Sequence, residues 1–366
     1  MMLHNYHELS AYLTQLVTTQ QILALRNRTR ITLIGRVETD FIDVIIRVYQ
    51  PNPCHPCSIF SYPNLYQTIN PMRIPLTYIS VILLWATTPL SIKWSGEGPG
   101  FLFGVTARMT IGAACVLLVL ALMRQRLAWH RKARLTYLAV AVQIYGSMLA
   151  VYWAAQFIPS GWISVIFGLT PLMTAILAAV FLKEQSLTPG KCLAYGLGVS
   201  GLAVMFGSAL QLGVDAVWGI AGVLVSALLQ SASSVWVKRI AAKLPALSQV
   251  AGGLLLALPA YLLTWSIADG HWPTALTPVS LAAIVYLGVI ATTLGFVLYY
   301  YLLTQLPATK VALITLVSPL LALMLGHIVN HEPLTLKLIT GTLFILSALI
   351  MHEFFDRLFA LKLRPK

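Results

Sequence analysis

The segment "PSGWISVIFGLTPLMTAILAAVFLKE", residues 159 to 184, has a counterpart 148 positions later in "PATKVALITLVSPLLALMLGHIVNHE", residues 307 to 332. A proline begins both segments, a second proline follows twelve residues on, and a glutamate ends both. The residues between these positions are apolar in both copies but differ in detail. A pattern that returns at a fixed offset indicates that the chain contains two related halves.

Composition indicates a membrane protein. Of the 366 residues, 58% are hydrophobic and 10% are charged, whereas a soluble domain carries about 25% charged residues. From residue 75 onward the chain consists of apolar blocks close to the ~20 residues with which a helix spans a bilayer, without the alternation of a transmembrane barrel. We therefore predict an all-α polytopic membrane protein. The ten predicted transmembrane spans are 75–94, 101–123, 135–157, 160–182, 189–209, 216–237, 245–267, 279–302, 306–329 and 334–355.

The net charge of +13 follows the predicted topology rather than indicating nucleic acid. If the first span begins in the cytoplasm, sixteen Lys and Arg residues flank the cytoplasmic ends of spans, and two, Lys93 and Lys337, flank the opposite ends. This bias obeys the positive-inside rule and predicts a multi-pass protein with both termini in the cytoplasm. The lipid bilayer is thus an expected partner and nucleic acid is not.

The matching segments are the predicted spans four and nine, so each is the fourth span of a half with five spans. Because five is odd, the second half enters the membrane from the opposite side, which gives ten transmembrane helices as two inverted five-helix repeats. Inverted repeats are typical of secondary transporters. The predicted divisions are an N-terminal extension at 1–72, a first repeat at 73–210, a second repeat at 211–355 and a basic cytoplasmic tail at 356–366.

The extension at 1–72 differs in composition from the rest of the chain. It is polar and contains neither an apolar run long enough to span a membrane nor a secretory signal. The motif from Cys54 to Cys57 is a lone CxxC without a second ligand pair, which does not support a zinc site, and we predict no metal and no cofactor. "MRIPLTYISVILLWATTPL", beginning at Met72, resembles the start of a membrane protein. We expect translation to begin there, with the upstream residues a mis-assigned start or a disordered tail.

Prolines lie about half-way along spans four and nine, at Pro171 and Pro319. Each removes a backbone hydrogen bond and is predicted to bend its helix. Thr170 and Ser318 precede them, and their hydroxyls are expected to help satisfy the freed carbonyls. A kink that borders a central cavity and a kink that serves packing alone are both consistent with this pattern.

Glu184 and Glu332 follow at the ends of the same two spans. A carboxylate is unfavourable at the C-terminus of its own helix because of the helix dipole. We therefore expect both residues to organise the loop and the start of the next helix. Proton coupling is the alternative, with His327 and His331 near the second copy.

Polar and aromatic side chains inside spans usually face a cavity or a partner. Arg108, the one charge well inside a span, is a candidate to bind a substrate carboxylate or phosphate, although it can instead snorkel to the surface or bind backbone carbonyls. The three tyrosines that end span eight resemble an interfacial belt, so only one is expected to point inward. Taken alone, each candidate is also consistent with packing. The residues predicted to line a small-molecule cavity are Trp85, Thr88, Arg108, Gln143, Tyr152, Trp153, Gln230, Ser234, Trp236, Tyr299, Thr315 and Ser318.

Together with the repeated pattern, "ILLWATTPLSIKWS" at 82–95 and "ARMTIGAACVLLVLAL" at 107–122 resemble the drug/metabolite transporter superfamily. The resemblance is to its EamA-type members, which have two tandem five-helix repeats. It covers residues 73–355 and implies a bacterial inner-membrane carrier of small metabolites, since many such members export amino acids. The long N-terminus departs from the family pattern, and the motifs do not identify a substrate.

The leading hypothesis is a secondary transporter in the bacterial inner (plasma) membrane. It moves a small metabolite, an amino acid or similar molecule, by alternating access, with export as the expected direction. A membrane enzyme is disfavoured because the sequence has no mid-span Asp or Glu, no P-loop and no HExxH motif, so no catalytic residue is predicted. A passive channel and a non-transporting scaffold or sensor are the alternatives. The sequence leaves the oligomeric state, the direction and the coupling ion open.

Overall fold

The computed structural model describes residues 73–183 and 189–362. Predictions that concern the extension at 1–72, Glu184 or the final residues 363–366 lie outside these described residues. Within the two described ranges the regular structure is helical and no strand occurs. The predicted all-α class is confirmed.

Eight helices in the described residues are long and apolar enough to cross a membrane, and two more contain the shorter apolar segments Leu193–Gly207 and Leu336–His352. This confirms a polytopic membrane protein, while the count of ten transmembrane spans stays a prediction. The helices are α1 (Arg73–Gly96), α2 (Phe101–Leu122), α3 (Arg131–Ala154), α4 (Ser160–Leu182), α5 (Pro189–Leu212), α6 (Val214–Ile240), α7 (Ala246–Ala268), α8 (Pro278–Gln305), α9 (Ala308–Asn330) and α10 (Leu336–Lys362).

The outward faces of the helices are apolar. On α1, Leu76, Ile79 and Leu83 are each more than half exposed, and their spacing places them on one face of the helix. Val81 and Ala86 of the same helix are buried against the rest of the protein. A contiguous apolar surface of this kind is unfavourable in water and marks contact with another apolar phase, as expected for helices that face lipid.

Two helices contain a stretch of wider π-helical turn at equivalent positions. The stretch in α3 is Val142–Ser147 and the stretch in α8 is Leu287–Gly295. Adding the offset of 148 to the first range gives 290–295, which lies inside the second. The two halves therefore share a backbone irregularity as well as a sequence pattern. Such π-helical insertions occur frequently at functional sites.

The helices α4 and α9 are interrupted where the prolines occur. Pro171 and Pro319 occupy the first turn of a new helical segment, where the missing proline N–H costs nothing because no intrahelical acceptor exists for it. The prolines thus begin a second segment rather than bend one continuous helix. The segments are Ser160–Phe167 and Thr170–Leu182 in α4, and Ala308–Ala312, Leu313–Leu316 and Ser318–Asn330 in α9.

A serine of a neighbouring helix binds the first turn of the second α4 segment. The hydroxyl of Ser231 on α6 donates to the Thr170 carbonyl at 3.3 Å and accepts from the Thr174 hydroxyl at 3.0 Å. The Thr170 hydroxyl itself is buried and has no hydrogen-bond partner among the described residues. The expectation that this hydroxyl helps to satisfy a carbonyl freed by Pro171 is therefore wrong.

Helices α2 and α8 approach each other closely through two glycines. A Cβ atom at Gly112 would overlap the side chain of Thr292, and one at Gly288 would lie 2.7 Å from the Cβ of Ile111. Only glycine permits these distances without movement of the backbone. The close contact places Thr292, in the π-helical stretch of α8, beside Arg108 on α2.

Candidate functional site

A cavity lies between the two halves and is lined by residues from both. About 590 Å³ of space inside it is not occupied by protein atoms, a figure that includes open solvent at its mouth. The lining comes from α1, α2, α3 and α4 in the first half and from α6, α8 and α9 in the second. The lining residues are Trp85, Thr88, Pro89, Ile92, Arg108, Met148, Val151, Ile163, Ser164, Phe167, Gln230, Ala291, Phe296, Thr315 and Ser318.

Arg108 is the charged residue in this lining and is 2% exposed. Its Nε donates to the Thr292 hydroxyl at 2.9 Å, and its Nη1 donates to the Tyr152 hydroxyl at 3.4 Å. The guanidinium carbon also lies 5.8 Å from the centre of the Tyr152 ring, a cation–π distance. Arg108 neither snorkels to the surface nor binds a backbone carbonyl of the described chain. It is held at the cavity by two neutral hydroxyl groups.

A second layer of polar and aromatic residues supports one wall of the cavity. Trp85 packs against Tyr299 with ring centres 5.1 Å apart. The Tyr299 hydroxyl is 2.6 Å from that of Ser234, which donates to the Gln230 carbonyl at 2.8 Å. Trp85 and Gln230 line the cavity, while Tyr299 and Ser234 lie behind them and fix their positions. Some of the predicted lining residues therefore form the cavity wall, and others support that wall from behind.

Gln143 also belongs to the supporting layer. It is fully buried, and its side-chain oxygen accepts a hydrogen bond from the Tyr300 hydroxyl at 2.6 Å. The hydroxyl of Ser233 lies 3.4 Å from that of Tyr300 and donates to the Ala139 carbonyl at 2.7 Å. Tyr299 and Tyr300 are therefore both buried, which corrects the expectation that only one tyrosine of this group points inward.

Trp153 and Trp236 lie away from the cavity. Trp153 is 36% exposed and packs on Phe157 with ring centres 5.0 Å apart. Its neighbour Tyr152 faces inward, and adjacent helix residues differ by about 100° in direction, so Trp153 faces outward. Trp236 lines a separate groove with Phe181 and other residues of α4 and α6. The structure therefore places both of these predicted cavity residues outside the cavity lining.

Several apolar lining residues are absent from the sequence-based prediction, and the repeat offset leads to one of them, Phe167, from the predicted Thr315. Thr315 corresponds to Phe167, and Met148 corresponds to Phe296, each pair being separated by 148 positions. All four side chains line the cavity. Phe167, Met148 and Phe296 carry no polar group, so a search for polar residues inside spans passes over them.

Close in sequence to the lining residues Ile92 and Ile163 lies a set of residues that we call the Glu332 cluster. Glu332 is 8% exposed, and its Oε1 and Oε2 atoms accept hydrogen bonds from the backbone N–H groups of Ser160 at 2.9 Å and Gly161 at 3.1 Å. The carboxylate therefore caps the N-terminus of α4, where the helix dipole favours negative charge. The cluster comprises Lys93, Trp94, Ser160, Gly161, Asn330 and Glu332.

Further contacts bind α1 to the same cluster. The Asn330 amide donates to Glu332 Oε1 at 3.1 Å and its oxygen accepts from the indole N–H of Trp94 at 3.2 Å. Lys93 Nζ lies 3.9 Å from Glu332 Oε1. We expected Glu332 to serve the helix that follows it. The structure instead assigns it to α4 of the other half, and Glu184 lies outside the described residues.

The turn after α9 directs Glu332 back into the protein. His331 adopts a left-handed conformation with φ of 52°, and the Glu332 N–H donates to the Gly326 carbonyl at 3.0 Å. A Cβ atom at Gly326 would lie 2.5 Å from Glu332 Oε2, so glycine is required for the carboxylate to reach α4. His327 Nδ1 is 2.9 Å from the Glu332 carbonyl and belongs to the turn.

The opposite end of the bundle, where α3 and α7 begin and α6 and α8 end, has a basic cleft. Lys238 and Lys243 line it together with Thr136, Gln249 and Thr304. Gln249 is 4% exposed; its amide donates to the Leu244 carbonyl at 2.8 Å, while its oxygen has no partner. The charge bias of the sequence predicts that this end faces the cytoplasm.

No group of three or more His, Cys, Asp or Glu side chains that can hold a metal ion occurs in the part of the chain that the structure describes. What the described residues do form is a helical membrane protein with a cavity shared by two related halves and interrupted helices beside it. This is the architecture of a membrane transporter.

Comparison with known proteins agrees with the assignment to a membrane transporter. The EamA-like transporter family matches residues 72–207 and again 217–352, so the chain belongs to that family. The uncharacterized transporter YoaV of Bacillus subtilis (strain 168) is 27% identical over 287 residues, covering 77% of this chain and 97% of the relative.

Two further similarities extend the comparison. A probable terminal-alkyne amino-acid exporter of Streptantibioticus cattleyicolor is 24% identical over 278 residues, covering 75% of this chain and 92% of that protein. A crystal structure that carries no functional name superposes with a TM-score of 0.58 at 20% identity, over 78% of this chain and 98% of that chain. At this identity the superposition shows the fold alone. The family and its named relatives point to a transporter rather than an enzyme.

Proposed function

We propose that this protein is a secondary transporter of the bacterial inner membrane that moves a small metabolite by alternating access. The substrate is an amino acid or similar molecule, export is the direction, and both termini lie in the cytoplasm. The charge bias of the sequence supports this orientation. The description of one relative as an amino-acid exporter supports the substrate and the direction.

The Glu332 cluster is the observation that carries the proposal. It joins α9 of the second half to α1 and α4 of the first half through hydrogen bonds and one ion pair. Polar contacts of this kind can exchange their protein partners for water when the halves separate. Alternating access requires a contact between two halves that forms in one state and breaks in the other. In the proposed orientation the cluster closes the outer end of the cavity.

The transport cycle then follows from the geometry. The substrate reaches the cavity from the cytoplasmic end and contacts Arg108, Gln230 and the aromatic wall. The segments of α4 and α9 rearrange about their interruptions at Pro171 and Pro319, and the Glu332 cluster opens. The substrate leaves to the outside, and the cluster forms again as the halves return.

Counterflow in proteoliposomes tests the proposal. Vesicles that contain the purified protein are loaded with a mixture of unlabelled amino acids and hydroxy acids and placed in a trace of each labelled one. A carrier exchanges internal for external substrate, so the label accumulates transiently and the initial rate saturates. A passive channel gives no transient accumulation, and a scaffold or sensor gives no flux above that of protein-free vesicles. Either of these results would reject the carrier.

A further inference from the structure

The charge of Arg108 is not balanced by the protein around it. A guanidinium group carries five N–H donors, and the described residues accept from two of them, through Thr292 and Tyr152. Both acceptors are neutral, and no carboxylate in the part of the chain that the structure describes pairs with Arg108. A buried charge without a counter-ion is unfavourable. An anion bound in the cavity would remove this penalty.

The rest of the cavity wall indicates the remaining chemistry of the ligand. The described lining contains no acidic side chain. It offers hydroxyl groups from Ser164, Thr315 and Ser318 and an amide from Gln230, which suit a neutral polar group on the ligand. Apolar and aromatic side chains form most of the remainder. A cationic group on the ligand would find no carboxylate there and would repel Arg108.

We propose that the cavity binds small carboxylate anions that have an apolar body and no cationic group, such as hydroxy acids, with the carboxylate on Arg108. This inference rests on the proposed transport function and narrows its substrate from amino acids and similar molecules to acids without an ammonium group. The planar guanidinium matches a carboxylate in shape, with two parallel N–H donors. The hydroxyl and amide groups of the wall receive the neutral substituent, and Trp85, Phe167 and Phe296 contact the apolar body.

Three compounds with the same carbon skeleton test the proposal. They are 3-phenyllactate, an anion; phenylalanine, a zwitterion; and phenylalaninol, a cation. A ligand that binds only the folded state raises its melting temperature, so thermal unfolding of the full chain in detergent is measured with each compound at low and at high sodium chloride. We expect 3-phenyllactate to stabilise the protein most and phenylalaninol not at all.

Variants of Arg108 connect the effect to this side chain. We expect Arg108→Gln to weaken 3-phenyllactate binding by about thirtyfold or more, the range for truncating one partner of a buried charge pair, and Arg108→Lys to retain part of it. Arg239→Gln is the matched control because Arg239 lies 5.8 Å from the Phe181 ring in a separate groove. If Arg108→Gln does not fold, Arg108→Lys and the three-compound series on the unaltered protein decide the question.

Several results would overturn the proposal. They are equal or greater stabilisation by phenylalanine or phenylalaninol, unchanged binding in Arg108→Gln, stabilisation by chloride but not by 3-phenyllactate, or no stabilisation by 3-phenyllactate of a protein that melts cooperatively. Counterflow of the same compounds separates this inference from the transport function. Counterflow of phenylalanine that does not depend on Arg108 would preserve the carrier and reject the anion site. Arg108-dependent binding of 3-phenyllactate without counterflow of any compound would preserve the site and reject the carrier.

Discussion

Glu332 accepts a hydrogen bond from the backbone N–H of Ser160 at 2.9 Å, although 172 residues separate them in the chain. Together with the bond from Gly161 at 3.1 Å, this contact makes a carboxylate of the second half the N-terminal cap of a helix in the first. Hydrogen bonds to a charged group contribute about 1.5–3 kcal/mol each. The contact therefore contributes strongly to the observed conformation, which in the proposed transport cycle is the one closed to the outside.

Replacing Glu332 with glutamine should open the outer end of the cavity. The substitution keeps the shape but removes the charge that interacts with the helix dipole, and its NH₂ group cannot accept from Gly161. A loss of about 1.4 kcal/mol shifts the equilibrium tenfold. We expect the labelling rate of a Ser164→Cys reporter in the cavity, by a membrane-impermeant thiol reagent added outside, to rise about tenfold in a background without the four native cysteines.

Lys337→Gln is the matched control for this experiment. It changes one charge on the same predicted side of the membrane, and no described contact connects Lys337 to the cluster. An equal rise in both variants would indicate a general effect of surface charge and would contradict the role assigned to Glu332.

Replacing Lys93 with methionine should have a much smaller effect than replacing Glu332. The Nζ to Oε1 distance is 3.9 Å and the lysine side chain is 29% exposed, and ion pairs that reach solvent contribute about 0–1 kcal/mol. We expect labelling of the same Ser164→Cys reporter to change by less than about fivefold. A change as large as that of Glu332→Gln would show that the ion pair, rather than the helix cap, maintains the closure.

Replacing Gly326 with alanine should reproduce the effect of Glu332→Gln without altering any charge. The new Cβ would lie 2.5 Å from Glu332 Oε2 and 3.2 Å from the Ser160 hydroxyl, so the carboxylate must move away from α4. Labelling of the Ser164→Cys reporter should rise severalfold. Gly196→Ala is the control, since a Cβ at Gly196 would meet nothing within 4 Å. Unchanged labelling in Gly326→Ala would mean that the carboxylate keeps its contacts by local adjustment.

Replacing Ser231 with alanine should destabilise the interrupted helix α4. The substitution removes the donor to the Thr170 carbonyl and the acceptor for Thr174, which costs about 0.5–2 kcal/mol for buried hydrogen bonds in a helical membrane protein. Thermal unfolding in detergent should show a lower melting temperature. Ser200→Ala should leave the melting temperature unchanged. Ser200 is exposed, and its hydroxyl donates to the Gly196 carbonyl of the same helix. Equal melting of both variants would show that water or another group replaces Ser231.

The sequence predicted the helices well because bilayer thickness imposes their length. The predicted spans 101–123 and 160–182 are observed as Phe101–Leu122 and Ser160–Leu182. The sequence predicts a bend at Pro171 and Pro319 because proline changes the backbone locally, and the structure shows a helix interruption at each of these positions instead. The π-helical stretches were not predicted, since no residue type in Val142–Ser147 requires them.

The candidate site was predictable in part. Arg108 and Gln230 line the cavity as expected because a polar group inside a span needs a polar surrounding. The cap between Glu332 and Ser160 could not be found in the same way, because it depends on which helices are neighbours in space. The repeat correctly showed that the glutamate matters to a helix start, but sequence order suggested the next helix instead of α4.

The contrast between Trp85 and Trp153 can be tested without knowledge of the substrate. Trp85 lines the cavity and packs on Tyr299, while Trp153 is 36% exposed on the outer surface, where lipid chains are expected to reach it. Bromine atoms on lipid chains quench the fluorescence of indoles that they contact. In vesicles of such lipids, Trp153→Phe should reduce the fraction of the protein's tryptophan emission that is quenched. Trp85→Phe should not, because its indole is separated from lipid by the surrounding helices. A larger loss of quenching in Trp85→Phe would contradict the placement of both side chains and, with it, the rotation of α1 and α3 about their axes.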